Sequence, residues 1–97
     1  MFNLRWGTDA TGDSAFLRPS GLALDTANNV LVLDSVKNQV MKFDASGTLL
    51  AKWGSSGLGN GQFRSPSSIA VDRNGSVYVA DTGNNRIQKF AADGTFV

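Results

Sequence analysis

The sequence contains no cysteine and no histidine. Without cysteine there is no disulfide, no thiolate metal site and no cysteine nucleophile. Such a chain is compatible with either redox compartment. Without histidine the commonest general base and the commonest zinc ligand are missing. Glutamate is absent too, so all 8 acidic residues are Asp. Asp favours turns and caps, whereas Glu favours helix interiors, and this usage points away from helices. Net charge is only +1, which gives no long-range field to draw in nucleic acid or an anionic membrane. No apolar run approaches the roughly 18 residues that a membrane span needs. The segment Met1 to Trp6 lacks a basic stretch followed by an apolar one. That predicts no signal peptide.

What is present is repetition. The 97 residues are 41% hydrophobic, enough for a packed core. A shift of 47 positions brings Trp6 onto Trp53, Phe16 onto Phe63 and Pro19 onto Pro66 without a gap. The same shift brings Asp34 onto Asp81, Asn38 onto Asn85, and Lys42-Phe43 onto Lys89-Phe90. Chance does not keep such different residue types in one register, so the chain is a duplicated unit.

Each unit reads as four short strands. Strand a covers Gly21 to Asp25 and Ser68 to Asp72, and strand b covers Val30 to Asp34 and Val77 to Asp81. Strand c covers Gln39 to Phe43 and Arg86 to Phe90, and strand d covers Thr48 to Trp53. These runs are β-branched or alternate apolar with polar, and Asn, Asp and Gly bound them. No helix with periodic apolar spacing and caps is visible. Four antiparallel strands in about 47 residues is the size of one β-propeller blade.

The second unit also carries a motif. It runs Gly59-Asn60-Gly61-Gln62-Phe63, then Pro66, then Ile69-Ala70-Val71-Asp72, then Val77-Tyr78-Val79-Ala80-Asp81-Thr82-Gly83-Asn84-Asn85-Arg86-Ile87-Gln88-Lys89-Phe90. This stretch resembles the NHL repeat. The first unit is a weaker copy, with Ser35-Val36-Lys37-Asn38-Gln39 where the second has Thr82-Gly83-Asn84-Asn85-Arg86. It loses the Gly and the Arg, so its loop is expected to differ in shape. The resemblance implies a closed propeller of six blades.

Two blades cannot close a propeller. Both faces of a blade pack on neighbours, so an isolated pair leaves two apolar faces uncovered. Closure then needs several chains in head-to-tail contact. Residues 7–53 read as one blade with its connecting loop. Residues 54–97 read as a second blade lacking the end of its outer strand. Residues 2–6 read as a detached outer strand, because Leu4-Arg5-Trp6 aligns with Ala51-Lys52-Trp53. The expected fold is therefore all-β, with two four-stranded blades per chain and an outer strand exchanged between chains. Six blades make a homotrimer; a tetramer of eight blades is the runner-up. A piece cut from a longer chain is the alternative account, against which complementary half-strands suit a chain made to close.

Candidate chemistry is sparse. Asp34 and Asp81 are candidates for metal or catalytic carboxylates, but an Asp at a turn more commonly accepts backbone N–H bonds, and Asp81 can pair with Arg86. Asp25 and Asp72 fit Asx-turns better than a ring of cation ligands. Trp6, Trp53, Phe16 and Phe63 suit packing between blades better than stacking on bases or sugars. Pro19, Pro66, Asn38 and Asn85 are the other repeated structural positions. The Gly-rich run from Gly54 to Gly61 lacks the Lys-Ser/Thr ending of a phosphate loop. The d–a and b–c loops share one end of a propeller, and that end would gather Arg18, Lys37, Arg64, Asn84 and Arg86, with Asp9 and Asp13 among them. This is the candidate binding face for a protein or peptide. RNA is not favoured there, because the basic residues are few. One NHL-like branch, the amidating-lyase type, is a metal-dependent propeller that relies on histidine ligands; this chain has no histidine, so that activity does not carry over. The expectation is a self-assembling scaffold without catalytic activity or cofactor, whose first partner is itself. A protein- or peptide-binding module is the alternative.

Overall fold

The structure, a computed structural model, describes residues 18–97. The first sheet is an antiparallel meander of β1 (Pro19–Leu24), β2 (Val30–Asp34), β3 (Gln39–Phe43) and β4 (Leu49–Trp53), in that order. A two-residue parallel ladder, β5 (Ser55–Ser56) with β6 (Gln62–Phe63), closes the connecting loop. The second sheet holds β7 (Ser68–Val71), β8 (Val77–Asp81) and β9 (Arg86–Phe90), with a 3₁₀ turn over Thr82–Asn84 between the last two. Beyond β9 the chain turns and Phe96 forms a single antiparallel bridge to Phe90. The architecture is all-β, and β2, β3, β8 and β9 occupy the residues read from the sequence. Strand β1 starts earlier, at Pro19, and ends at Leu24, because the Asp25 carboxylate is taken up in the following turn.

The Asp-only acidic composition has a structural cause. Asp25 Oδ1 accepts the N–H groups of Ala27 and Asn29, Asp44 Oδ1 those of Ser46 and Thr48, and Asp72 Oδ1 those of Asn74 and Ser76. Each carboxylate satisfies two turn donors that strands cannot reach, which the longer Glu side chain does less well.

The two sheets stack face to face. Cross-strand partners Ala23↔Leu31 and Leu33↔Val40 place these side chains on one face of the first sheet, here called its far face. Leu31, Leu33 and Val40 are buried there against Val77, Val79, Phe90 and Phe63, with Trp53, Ile69 and Val71 packed around them. Those second-sheet residues define its near face. Each fully buried Val, Leu or Phe contributes about 1.5–3 kcal/mol relative to exposure, so this shared core is the main bond between the units. Lys42 adds a polar contact across the same junction, its Nζ donating to the Ala92 carbonyl at 3.1 Å.

The remaining faces follow from the register. On the near face of the first sheet, Val32, Met41 and Phe43 form a second buried cluster with Val30 and Leu49. Leu22 and Leu24 lie on that face too and are 67% and 63% exposed. The far face of the second sheet carries Ala70, Tyr78, Ala80, Ile87 and Lys89, and Ile87 is 72% exposed. No helix among the described residues is long and apolar enough to cross a membrane. The outer strand expected over Phe2 to Trp6, and the positions Trp6, Asp9, Asp13 and Phe16, lie outside the described residues.

Candidate functional site

The richest polar arrangement sits where β8 runs out into its loop. Asp81 is fully buried. Its Oδ1 accepts the Arg64 backbone N–H at 2.7 Å. Its Oδ2 accepts from Asn84 Nδ2 at 2.9 Å, Arg86 Nε at 3.0 Å and Gln88 Nε2 at 3.2 Å. Burial raises the carboxyl pKa, but these donors outweigh it and hold the group below its ordinary value. A carboxylate offers about four acceptor positions, and four donors reach this one. Three of these donors converge on Oδ2 and one on Oδ1, so the Asp81 carboxylate is engaged in bracing the chain's own turn and loop.

Its partners reach onward to the connecting loop. Arg86 donates from one terminal nitrogen to the carbonyls of Gly59 at 2.7 Å and Gln62 at 2.9 Å. Asn84 donates to Gly57 O, and Gln88 bonds both Gln62 O and the Gly61 N–H. Gly83 completes the clamp: its N–H donates to Arg64 O at 2.8 Å, and a Cβ at Gly83 would overlap that carbonyl. Asn85 closes the turn in the left-handed region at φ 55°, a conformation Asn tolerates. The loop from Gly57 to Arg64 is thus bolted to the b–c turn of the same unit.

The first unit builds its b–c turn differently. Asp34 Oδ1 accepts N–H bonds from Arg18, Val36 and Lys37. Val36 stands where Gly83 stands in the second unit, Lys37 where Asn84 stands, and Met41 where Gln88 stands. Here Ser35 N–H, one residue earlier in the turn, reaches the Arg18 carbonyl. Asn38 keeps the left-handed conformation at φ 56°, but its Oδ1 is buried without a hydrogen-bond partner. The difference in loop shape expected from the missing Gly and Arg is present.

The proposed binding face is accordingly divided. Arg18 and Lys37 meet at Asp34, while Arg64, Asn84 and Arg86 meet at Asp81. Arg86 and Asn84 spend their donors on the chain's own loop, whereas the side chains of Arg18 and Arg64 are exposed. Among the repeat positions, Phe63 and Pro66 are buried, and Trp53 packs on Phe90 with ring centroids 5.8 Å apart. Pro19 is exposed at the start of β1. Sequence reasoning missed Gln88 and Gln62. The available signal was a polar residue alternating in register with Val79 and Phe90 on an otherwise apolar face. Among the described residues no cluster of three or more metal-ligating side chains occurs.

Two stacked antiparallel sheets with equivalent turns define an all-β repeat protein. Residues 63–90, from β6 to the end of β9, match the family model of the NHL repeat. That match suggests a propeller blade for the second unit, and the first repeats its strand plan. No curated protein matches the chain.

Proposed function

We propose that the chain is a non-enzymatic propeller scaffold that closes by self-assembly, three copies supplying six blades. One observation carries the reading. Inside the chain, the far face of one blade packs on the near face of the next, while the same two faces at either end of the pair expose Leu22, Leu24 and Ile87. A second copy would cover Leu22, Leu24 and Ile87, while Val32, Met41 and Phe43 on the near face are already buried within the chain. Closure also accounts for the stretch of the β9 edge that the Phe90–Phe96 bridge and the Val97-to-Lys89 bond do not cover. Transferring the β3–β4 register, in which Lys42, Met41 and Val40 face Ala51, Lys52 and Trp53, sets Leu4, Arg5 and Trp6 of another copy opposite Lys89, Gln88 and Ile87. Light scattering tests the reading, with about three times the 10.3 kDa chain mass expected; eight blades would give four times. A monomer that unfolds cooperatively would overturn it.

The NHL match supports a second reading, a protein- or peptide-binding module on the loop end. The exposed Arg18 and Arg64 side chains favour it there. Specific binding lost on Arg64→Ala, with assembly intact, would establish it.

A further inference from the structure

The junction inside the chain can be used as a template for the junction between chains. Three of its features are specific. Lys42 Nζ crosses from the first blade to the Ala92 carbonyl of the second at 3.1 Å, while also pairing with Asp25 at 3.6 Å. Gly21 lies so close to Ile69 that a Cβ there would stand 3.2 Å from Ile69 Cγ2. Leu31, Leu33 and Val40 supply the apolar contact.

The repeat maps each feature onto residues left exposed or half-exposed. Lys42 corresponds to Lys89, Ala92 to Ala45, Gly21 to Ser68 and Ile69 to Leu22. Lys89 is exposed, and its Nζ rests 5.7 Å from the Tyr78 ring centroid. Tyr78 and Ala80 replace Leu31 and Leu33, one larger and one smaller. The Tyr78 hydroxyl is held by Asp72 at 3.0 Å, so that face keeps its apolar bulk with its polar atom satisfied. On the receiving side, Val32, Met41 and Phe43 already lie buried, and Leu22 and Leu24 remain available.

We propose that a second copy docks its near face on the far face of the second blade, with Lys89 Nζ donating to the Ala45 carbonyl of that copy and Ser68 seated against its Leu22. This rests on the self-assembly reading and adds the orientation, the register and the residue that sets them. An ammonium aimed at one backbone carbonyl fixes the sliding position, which an apolar contact alone leaves loose.

The absence of native cysteine makes the test clean. One full-length preparation carries Ser68→Cys and another Leu22→Cys; they are mixed, then oxidised. The expected result is a disulfide-linked pair of chains on a non-reducing gel, because Cβ atoms roughly 3.5–4.5 Å apart suit a disulfide. Gly21→Cys with Ile69→Cys in one chain is the positive control and should close within that chain. In parallel, Lys89→Met should raise the dissociation constant of each junction roughly tenfold, the size of a charge-assisted hydrogen bond. Its circular dichroism should be unchanged, since Lys89 is exposed. A wild-type multimer that forms no Ser68–Leu22 cross-link, or is indifferent to Lys89→Met, would sink this docking and leave self-assembly standing. A monomeric wild type would remove both.

Discussion

Arg86 and Asp81 stand 3.0 Å apart across the 3₁₀ turn that joins β8 to β9, with Asp81 fully buried and Arg86 at the rim. The pair is the hub from which Gly59, Gln62 and Arg64 are held. Asp81→Ala would take the acceptor from the Arg64 N–H, from Arg86 Nε and from one N–H of the buried Gln88 amide, whose other N–H keeps Gln62 O. The expected loss is about 3 kcal/mol, read from denaturant midpoints. Arg86→Lys should cost about 1 kcal/mol, because an ammonium cannot span the carboxylate and two carbonyls at once. Equal losses for the two variants would mean that charge alone matters here.

Much of this was legible beforehand because the repeat supplies an internal comparison. Asp34 with Asp81 and Asn38 with Asn85 recur, which marks them as backbone devices. The left-handed φ at both Asn residues is the physical reason. The substitution of Val36 for Gly83 foretold a different loop. The hub itself was only half visible. The Asp81–Arg86 pair follows from local spacing, whereas Gln88 acts on residues 26 and 27 positions away, a separation that only the folded loop closes. The commitment of Arg86 and Asn84 to the chain's own carbonyls was hidden for the same reason.

Gly94 is held at φ 94°, and a Cβ there would stand 2.5 Å from Trp53 Cε3. Gly94→Ala should therefore destabilise the pair of blades by about 1–3 kcal/mol through crowding and backbone strain. Thermal unfolding followed by Trp fluorescence checks this, and an unchanged midpoint would contradict the packing.

Acid should loosen the turns. Asp25 and Asp81 feel burial, which raises their pKa, but hydrogen bonds from Asn29 and Ala27 to the first, and from Arg64, Asn84, Arg86 and Gln88 to the second, pull both below the ordinary 3.8. Folded values lower than unfolded ones mean that the unfolded chain binds more protons. The stabilisation is full above pH 3.8 and fades as pH falls through the lowered native values. Denaturant midpoints should hold from pH 7 to 5 and drop below 4; Asp81→Asn should be less stable at pH 7 and show a shallower drop.

Leu22→Asp and Ile87→Asp each put a charge on a face that assembly would bury. Either change should shift the solution mass toward one chain while strand content by circular dichroism persists. Retention of the full multimer by both variants would place the junctions elsewhere.

Leu4→Pro probes the proposed strand exchange. In the transferred register Leu4 lies opposite Lys89, whose carbonyl faces the strand edge and takes the Val97 N–H, so proline there would remove a ladder donor and stiffen the strand. The assembly should weaken, seen as a mass that falls on dilution, whereas a strand left unpaired in the assembly would tolerate the change.

The 3₁₀ turn around Asp81 and the differently built turn around Asp34 have one more consequence. A circle made from these chains would alternate two kinds of b–c turn, so its symmetry order is the number of chains and not the number of sheets. Any guest that selects one kind of turn would therefore bind once per polypeptide.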